Sequence, residues 1–136
     1  MSELLSIHSS NLTFSDPQQA LKALQGLAKL SNNRKTNKLQ YINTQKIIDA
    51  TTIYEALIAC RYEWFENDGH VELLGACFGS EDEIFNKIAP YVESGSFIEC
   101  YTGTRGVWRY YFIDGKLEMR YAQFGATNHP LIHYRS

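Results

Sequence analysis

Apolar residues recur along this chain with a period that changes from helical to alternating and back, and the changes divide it into elements. Leu21, Leu24 and Ala28, with Leu27 on the flank, return at the three- and four-residue spacing of one helix face. Ser15 and Asp16 offer capping side chains just before Pro17, whose missing N–H is harmless in a first turn. A helix therefore starts there and runs to the polar cluster Ser31-Asn32-Asn33. A second helical region begins near Thr44, with Ile47, Ile48, Tyr54, Leu57 and Ile58 as its apolar set. Within it, Thr52-Ile53-Tyr54-Glu55 matches a capping box, so the region is either one rod or two short helices meeting near Thr51.

From Arg61 the period becomes two. Tyr62 and Trp64 flank Glu63, and Asn67-Asp68-Gly69 supplies turn residues that tolerate positive φ, which predicts a hairpin over 61–78. Gly75 is the candidate bulge in its return strand, His70 to Phe78. Ser80-Glu81-Asp82-Glu83 is a second capping box, opening a helix that buries Ile84, Phe85 and Ile88 and stops at Pro90. A three-stranded meander over 96–122 follows: Ser96 to Thr102, Val107 to Ile113 and Lys116 to Ala122, with Asp114-Gly115 as a two-residue turn. Residues 1–14 read as an extended or poorly ordered lead-in, and 123–136 as a tail without regular structure. The sum is one α+β domain over 1–136: an antiparallel sheet of about five strands with helices on one face.

A two-residue turn at Asp114-Gly115 fixes a register. Ile113 faces Lys116, Tyr111 faces Glu118, Arg109 faces Arg120 and Trp108 faces Tyr121. Alternation then places Trp108, Tyr110, Phe112, Leu117, Met119 and Tyr121 under the helices, and Arg109, Tyr111, Ile113, Lys116, Glu118 and Arg120 outside. Two arginines directly opposite one another repel unless something anionic lies between them. Glu99 is the candidate neutraliser, although a bulge in its strand would exchange the faces of Phe97, Glu99 and Tyr101 with those of Ile98 and Cys100.

Charge narrows the reading further. With 136 residues, 13 Lys+Arg, 15 Asp+Glu and a net charge of -2, the chain is neither a bulk polyanion binder nor a strongly acidic mimic. Arg34, Lys35 and Lys38 form an exposed basic connection between helices. Cys60, Cys77 and Cys100 lack C-x-x-C spacing, which argues for buried thiols in a reducing compartment. No apolar run reaches membrane-span length and no export signal is visible, so a cytoplasmic protein with no membrane partner is expected. Nucleotide-binding and hydrolase motifs, cofactor signatures and metal-ligand spacing are missing. His129 and His133 are four apart, but Pro130 interrupts the helix they would need. The carboxylates Glu63, Glu66, Asp68 and Glu72 on the first hairpin read as solubilising.

The order of signals from Gly69 to Tyr121 carries a resemblance. Gly79-Ser80-Glu81-Asp82-Glu83, Ile88 to Glu99, and Trp108-Arg109-Tyr110-Tyr111-Phe112-Ile113-Asp114-Gly115-Lys116 are similar to small α+β proteins of bacterial phages and mobile elements. The resemblance covers under half the chain and carries over no catalytic residues. It implies a setting in which small non-enzymatic proteins act as inhibitors, immunity or anti-defence factors.

The expected function is accordingly a binding protein that blocks a protein partner, such as a toxin, nuclease or host defence component. Its surface would be Arg105, Arg109, Tyr111, Glu118 and Arg120. The 13% aromatic content also suits a single-stranded nucleic-acid binder that uses Trp108 and the sheet arginines, assisted by Arg34, Lys35 and Lys38.

Overall fold

A computed structural model describes residues 5–34, 42–67, 70–77, 81–102, 106–124 and 132–135. Strand β1 (Leu5–Asn11) precedes three helices, α1 (Pro17–Arg34), α2 (Thr44–Ile48) and α3 (Ile53–Ala59). The hairpin β2 (Glu63–Asn67) and β3 (His70–Cys77) leads to α4 (Glu81–Ile88) and a 3-10 turn at Ala89–Tyr91. The chain ends in β4 (Phe97–Thr102), β5 (Gly106–Ile113), β6 (Lys116–Phe124) and β7 (Ile132–Arg135). The architecture is α+β. Its sheet is antiparallel and has seven strands, in the order β2-β3-β1-β4-β5-β6-β7.

The expectation of about five strands is corrected at both ends of the chain. Residues 1–14 were expected to be an extended or poorly ordered lead-in, yet β1 lies inside the sheet, between β3 and β4. A bulge between Ile7 and Ser9 hides it from pattern reading. Both Ile7 (4% exposed) and Ser10 (5%) are interior, three positions apart, where a regular strand would put them on opposite faces. On its other side Ile7, Ser6 and Leu5 pair with Gly75, Ala76 and Cys77 of β3. The tail supplies β7, whose Ile132 to Arg135 pair with Phe124 back to Tyr121. The first hairpin pairs Asn67 with His70; Asp68, Gly69 and Phe78 lie outside the described residues.

Two short helices, rather than one rod, follow α1. Thr52 ends the link between them by accepting a hydrogen bond from the Glu55 amide at 3.1 Å, while the Glu55 carboxylate accepts from the Thr51 amide at 2.9 Å. Gln25 on α1 completes the joint, its amide nitrogen donating to the carbonyls of Ile48 and Ala50, each at 3.0 Å. Those carbonyls belong to a helix end that would otherwise leave acceptors unsatisfied. Of the apolar set expected here, Ile47 and Leu57 are buried, whereas Ile58 is 54% exposed because the break at Thr51 turns it outward.

Helices and sheet share one core. Leu21, Leu24 and Leu27 of α1 and Ile84, Phe85 and Ile88 of α4 pack in the same cluster as Ile98, Cys100, Trp108, Tyr110 and Phe112. Phe85 sits at its centre, with ring centroids 5.9 Å from Tyr62, 5.3 Å from Tyr110 and 6.5 Å from Phe112. The cover thins towards β6, where Leu117 and Met119 are only partly buried and Tyr121 is 45% exposed.

Candidate binding face of the sheet

The outer face is built from the Asp114-Gly115 corner. Asp114 has φ 51 and Gly115 φ 78, so both central residues lie in the left-handed region that a type I′ turn requires. This corner sets the β5–β6 register at Ile113↔Lys116, Tyr111↔Glu118, Arg109↔Arg120 and Trp108↔Tyr121. On the other side of β5, Gly95 and Phe112 exchange backbone contacts with the start of β4, the Gly95 amide donating to Phe112 at 2.8 Å and the Phe112 amide to Ser96 at 2.9 Å. Glu99 is thereby brought opposite Arg109, and Phe97 opposite Tyr111. Ile98 and Cys100 are buried, so Phe97, Glu99 and Tyr101 belong to the outer face.

The facing arginines are neutralised locally. Arg109 Nε donates to Glu99 Oε1 at 2.9 Å, and its Nη1 donates to the Tyr111 hydroxyl at 3.0 Å. The guanidinium carbon lies 4.0 Å above the Phe97 ring. Arg120 Nε and Nη2 both donate to Glu118 Oε1, at 3.3 and 3.2 Å, and its guanidinium carbon is 5.0 Å from the Tyr111 ring centroid. Tyr111 therefore lies between two cations, which attract the negative face of its ring. Glu99 is only 8% exposed; taking a carboxylate that far from water is tolerable because a guanidinium meets it. The result is a patch of rings and guanidinium groups whose two arginines are matched by two carboxylates, with Tyr101 (48% exposed) at its margin.

The expected site residues divide unevenly. Arg109, Tyr111, Glu118 and Arg120 come together as the register requires. Arg105, Lys35 and Lys38 lie outside the described residues, and Arg34 closes α1 with its side chain also outside them. Trp108 is 3% exposed, which removes it as a stacking platform, because a base could reach its ring only by opening the core. Phe97 was missed as a participant; its signal was the alternation of Ile98 and Cys100 with their neighbours, readable once the β4 register is known.

Beneath the face, the Tyr110 hydroxyl donates to Asp82 Oδ1 at 2.7 Å, tying β5 to the first turn of α4. Among the described residues, Trp108 Nε1 is a buried side-chain nitrogen with no hydrogen-bond partner. Burial pushes the Cys60 thiol up to about 12, and it pushes Cys100 higher still, helped by the nearby charges of Glu81, Glu99 and Asp82. Neither is a thiolate at neutral pH. Among the described residues no group of three or more His, Cys, Asp or Glu side chains could hold a metal ion, and His133 stands in a strand rather than on a helix face with His129. No helix of the described residues is long and apolar enough to cross a membrane. The arrangement offers hydrogen-bond donors, ring faces and paired charges, all suited to recognition. Compared with known proteins, the chain matches no family model, no curated protein and no solved structure.

Proposed function

We propose that this protein is a non-enzymatic binding protein that occludes a site on a protein partner, in the manner of an inhibitor or immunity factor, through the outer face of β4, β5 and β6. The observation behind the reading is the pairing of Arg109 with Glu99 and Arg120 with Glu118 around Tyr111. Tyr and Arg are the usual anchors of protein interfaces, and side chains already locked in place lose little freedom on binding. Charge balance also weighs against the nucleic-acid reading, since a polyanion groove needs cations left over for phosphates. A neutral, aromatic patch fits a partner surface of mixed character.

Affinity capture from a host lysate should retain one dominant protein, and Tyr101→Ala combined with Arg120→Glu should abolish its retention while the circular dichroism spectrum stays unchanged. Retention by the double variant would move the interface elsewhere. A labelled oligonucleotide should show no binding at low salt; tight, salt-sensitive binding would instead favour the nucleic-acid reading.

A further inference from the structure

The helices share a core with the inner residues of the sheet, Ile98, Cys100, Trp108, Tyr110 and Phe112. Val107, Arg109, Tyr111 and Ile113 alternate with them along β5 on the outer side, which carries no second layer among the described residues. A sheet of seven strands spans about 30 Å across and about 20 Å along its strands, or about 600 Å² in projection. Two such faces in contact bury about 1,200 Å², the lower end of what a specific interface needs.

The charge on this face is complementary to itself. Cross-strand pairing sets two rows over β4, β5 and β6, with Phe97, Tyr111 and Glu118 in one and Glu99, Arg109 and Arg120 in the next. A second copy laid face to face with strands aligned has two choices of twofold axis. An axis along β5 would put Arg109 on its own symmetry mate, two like charges in contact. An axis across the strands, between the two rows, exchanges them instead. Tyr111 then lies over Arg109 of the second copy and Glu118 over its Arg120, and each contact is made twice. Val107 and Ile113, half-buried apolar residues flanking the two rows, change places under the same axis and meet. Within each chain the Arg109–Glu99 and Arg120–Glu118 pairs already hold these groups in their rows, so little side-chain freedom is lost on association. A net charge of -2 leaves little repulsion between copies.

We infer that the outer face is closed by a second copy of this chain when no other partner occupies it, in a twofold dimer with Glu118 of each copy on Arg120 of the other. The inference rests on the reading of this face as an interface and adds its regulation. Second copy and foreign partner use the same side chains, so only the monomer blocks a partner.

Sedimentation velocity of the whole chain from about 1 to about 300 µM should show monomer giving way to dimer, with a midpoint that salt raises. Arg120→Glu and Glu118→Arg should each weaken association at least about tenfold, because each sets like charges against one another across the axis. Mixed in equal amounts, the two variants should recover the dimer, since the acidic pair of one then meets the basic pair of the other. A loss of folding could not be repaired by mixing. The inference is overturned by a chain that stays monomeric at about 300 µM, by undiminished association of either variant alone, or by a mixture that stays monomeric. A monomeric chain whose lysate capture is lost in the Tyr101→Ala, Arg120→Glu variant overturns the dimer and leaves the blocking function standing. A dimer that this variant abolishes while capture persists upholds the dimer and removes the blocking function.

Discussion

Glu99 carries an unusual share of the outer face. It is nearly buried, it meets Arg109 at 2.9 Å, and without it two guanidinium groups would confront each other across β5 and β6. Glu99→Gln keeps the shape and removes the charge, so it should cost about 1.5–3 kcal/mol in urea denaturation, the range for a hydrogen bond to a charged group. A change under a few tenths would mean that Arg109 finds another partner. Buried acids on the inner side make stability depend on pH in the alkaline range. The Cys60 thiol moves from 9.0 to about 12 on folding, and Cys100 and Tyr110 are also raised, Tyr110 by burial first and then by its bond to Asp82. A raised acid holds its proton more tightly in the folded chain. Its contribution is fully present below the unfolded value and is lost as pH climbs towards the folded one. The Cys60 contribution should therefore be level up to about pH 8 and fall between pH 9 and 12, by about 1.4 kcal/mol per pH unit, with Cys100 falling from the same onset and Tyr110 from its own unfolded value of 10.0. Cys60→Ala should make that fall shallower; an identical slope would show that the thiol does not contribute.

Among the elements, the β5–β6 corner was legible in the sequence, and the α2–α3 break was one of the two arrangements it allowed. Asp114-Gly115 announces itself because few residue pairs tolerate two successive left-handed conformations, and Thr52 with Glu55 because a hydroxyl and a carboxylate at that spacing satisfy helix-end amides. Gly115→Ala should cost about 1 kcal/mol by placing a Cβ in the left-handed region, with no clash to add, since the nearest atom would be the Pro90 Cα at an ordinary 3.6 Å. The joint made by Gln25 was not legible. A long polar side chain on a helix gives no hint that it will reach carbonyls more than twenty residues away. Gln25→Ala should cost about 1–2 kcal/mol, measured by thermal unfolding, because the end of α2 then loses its donor. β1 was misread for a different reason: its bulge breaks the alternation on which strand recognition depends. The same logic explains the candidate face. Arg109, Tyr111, Glu118 and Arg120 followed from one turn, whereas Phe97 depended on a second register that the sequence left open.

At the scale of the whole molecule, the sheet order makes β1 the only strand that joins the β2–β3 hairpin to the β4–β7 meander among the described residues. It pairs with β3 on one side and β4 on the other, so removing it separates two partial sheets, neither with its full set of backbone partners. A chain lacking residues 5–11 should fail to give a cooperative unfolding transition, and a synthetic peptide of that segment should restore one. A cooperative transition without the peptide would mean that β3 and β4 can close the gap themselves. The position of β1 also bears on synthesis at the ribosome. The segment leaves the exit tunnel before either partner, since β3 lies about 65 residues downstream and β4 about 90. Its backbone must wait unpaired until those strands emerge, and the nascent chain cannot lock the centre of the sheet before β4 is out.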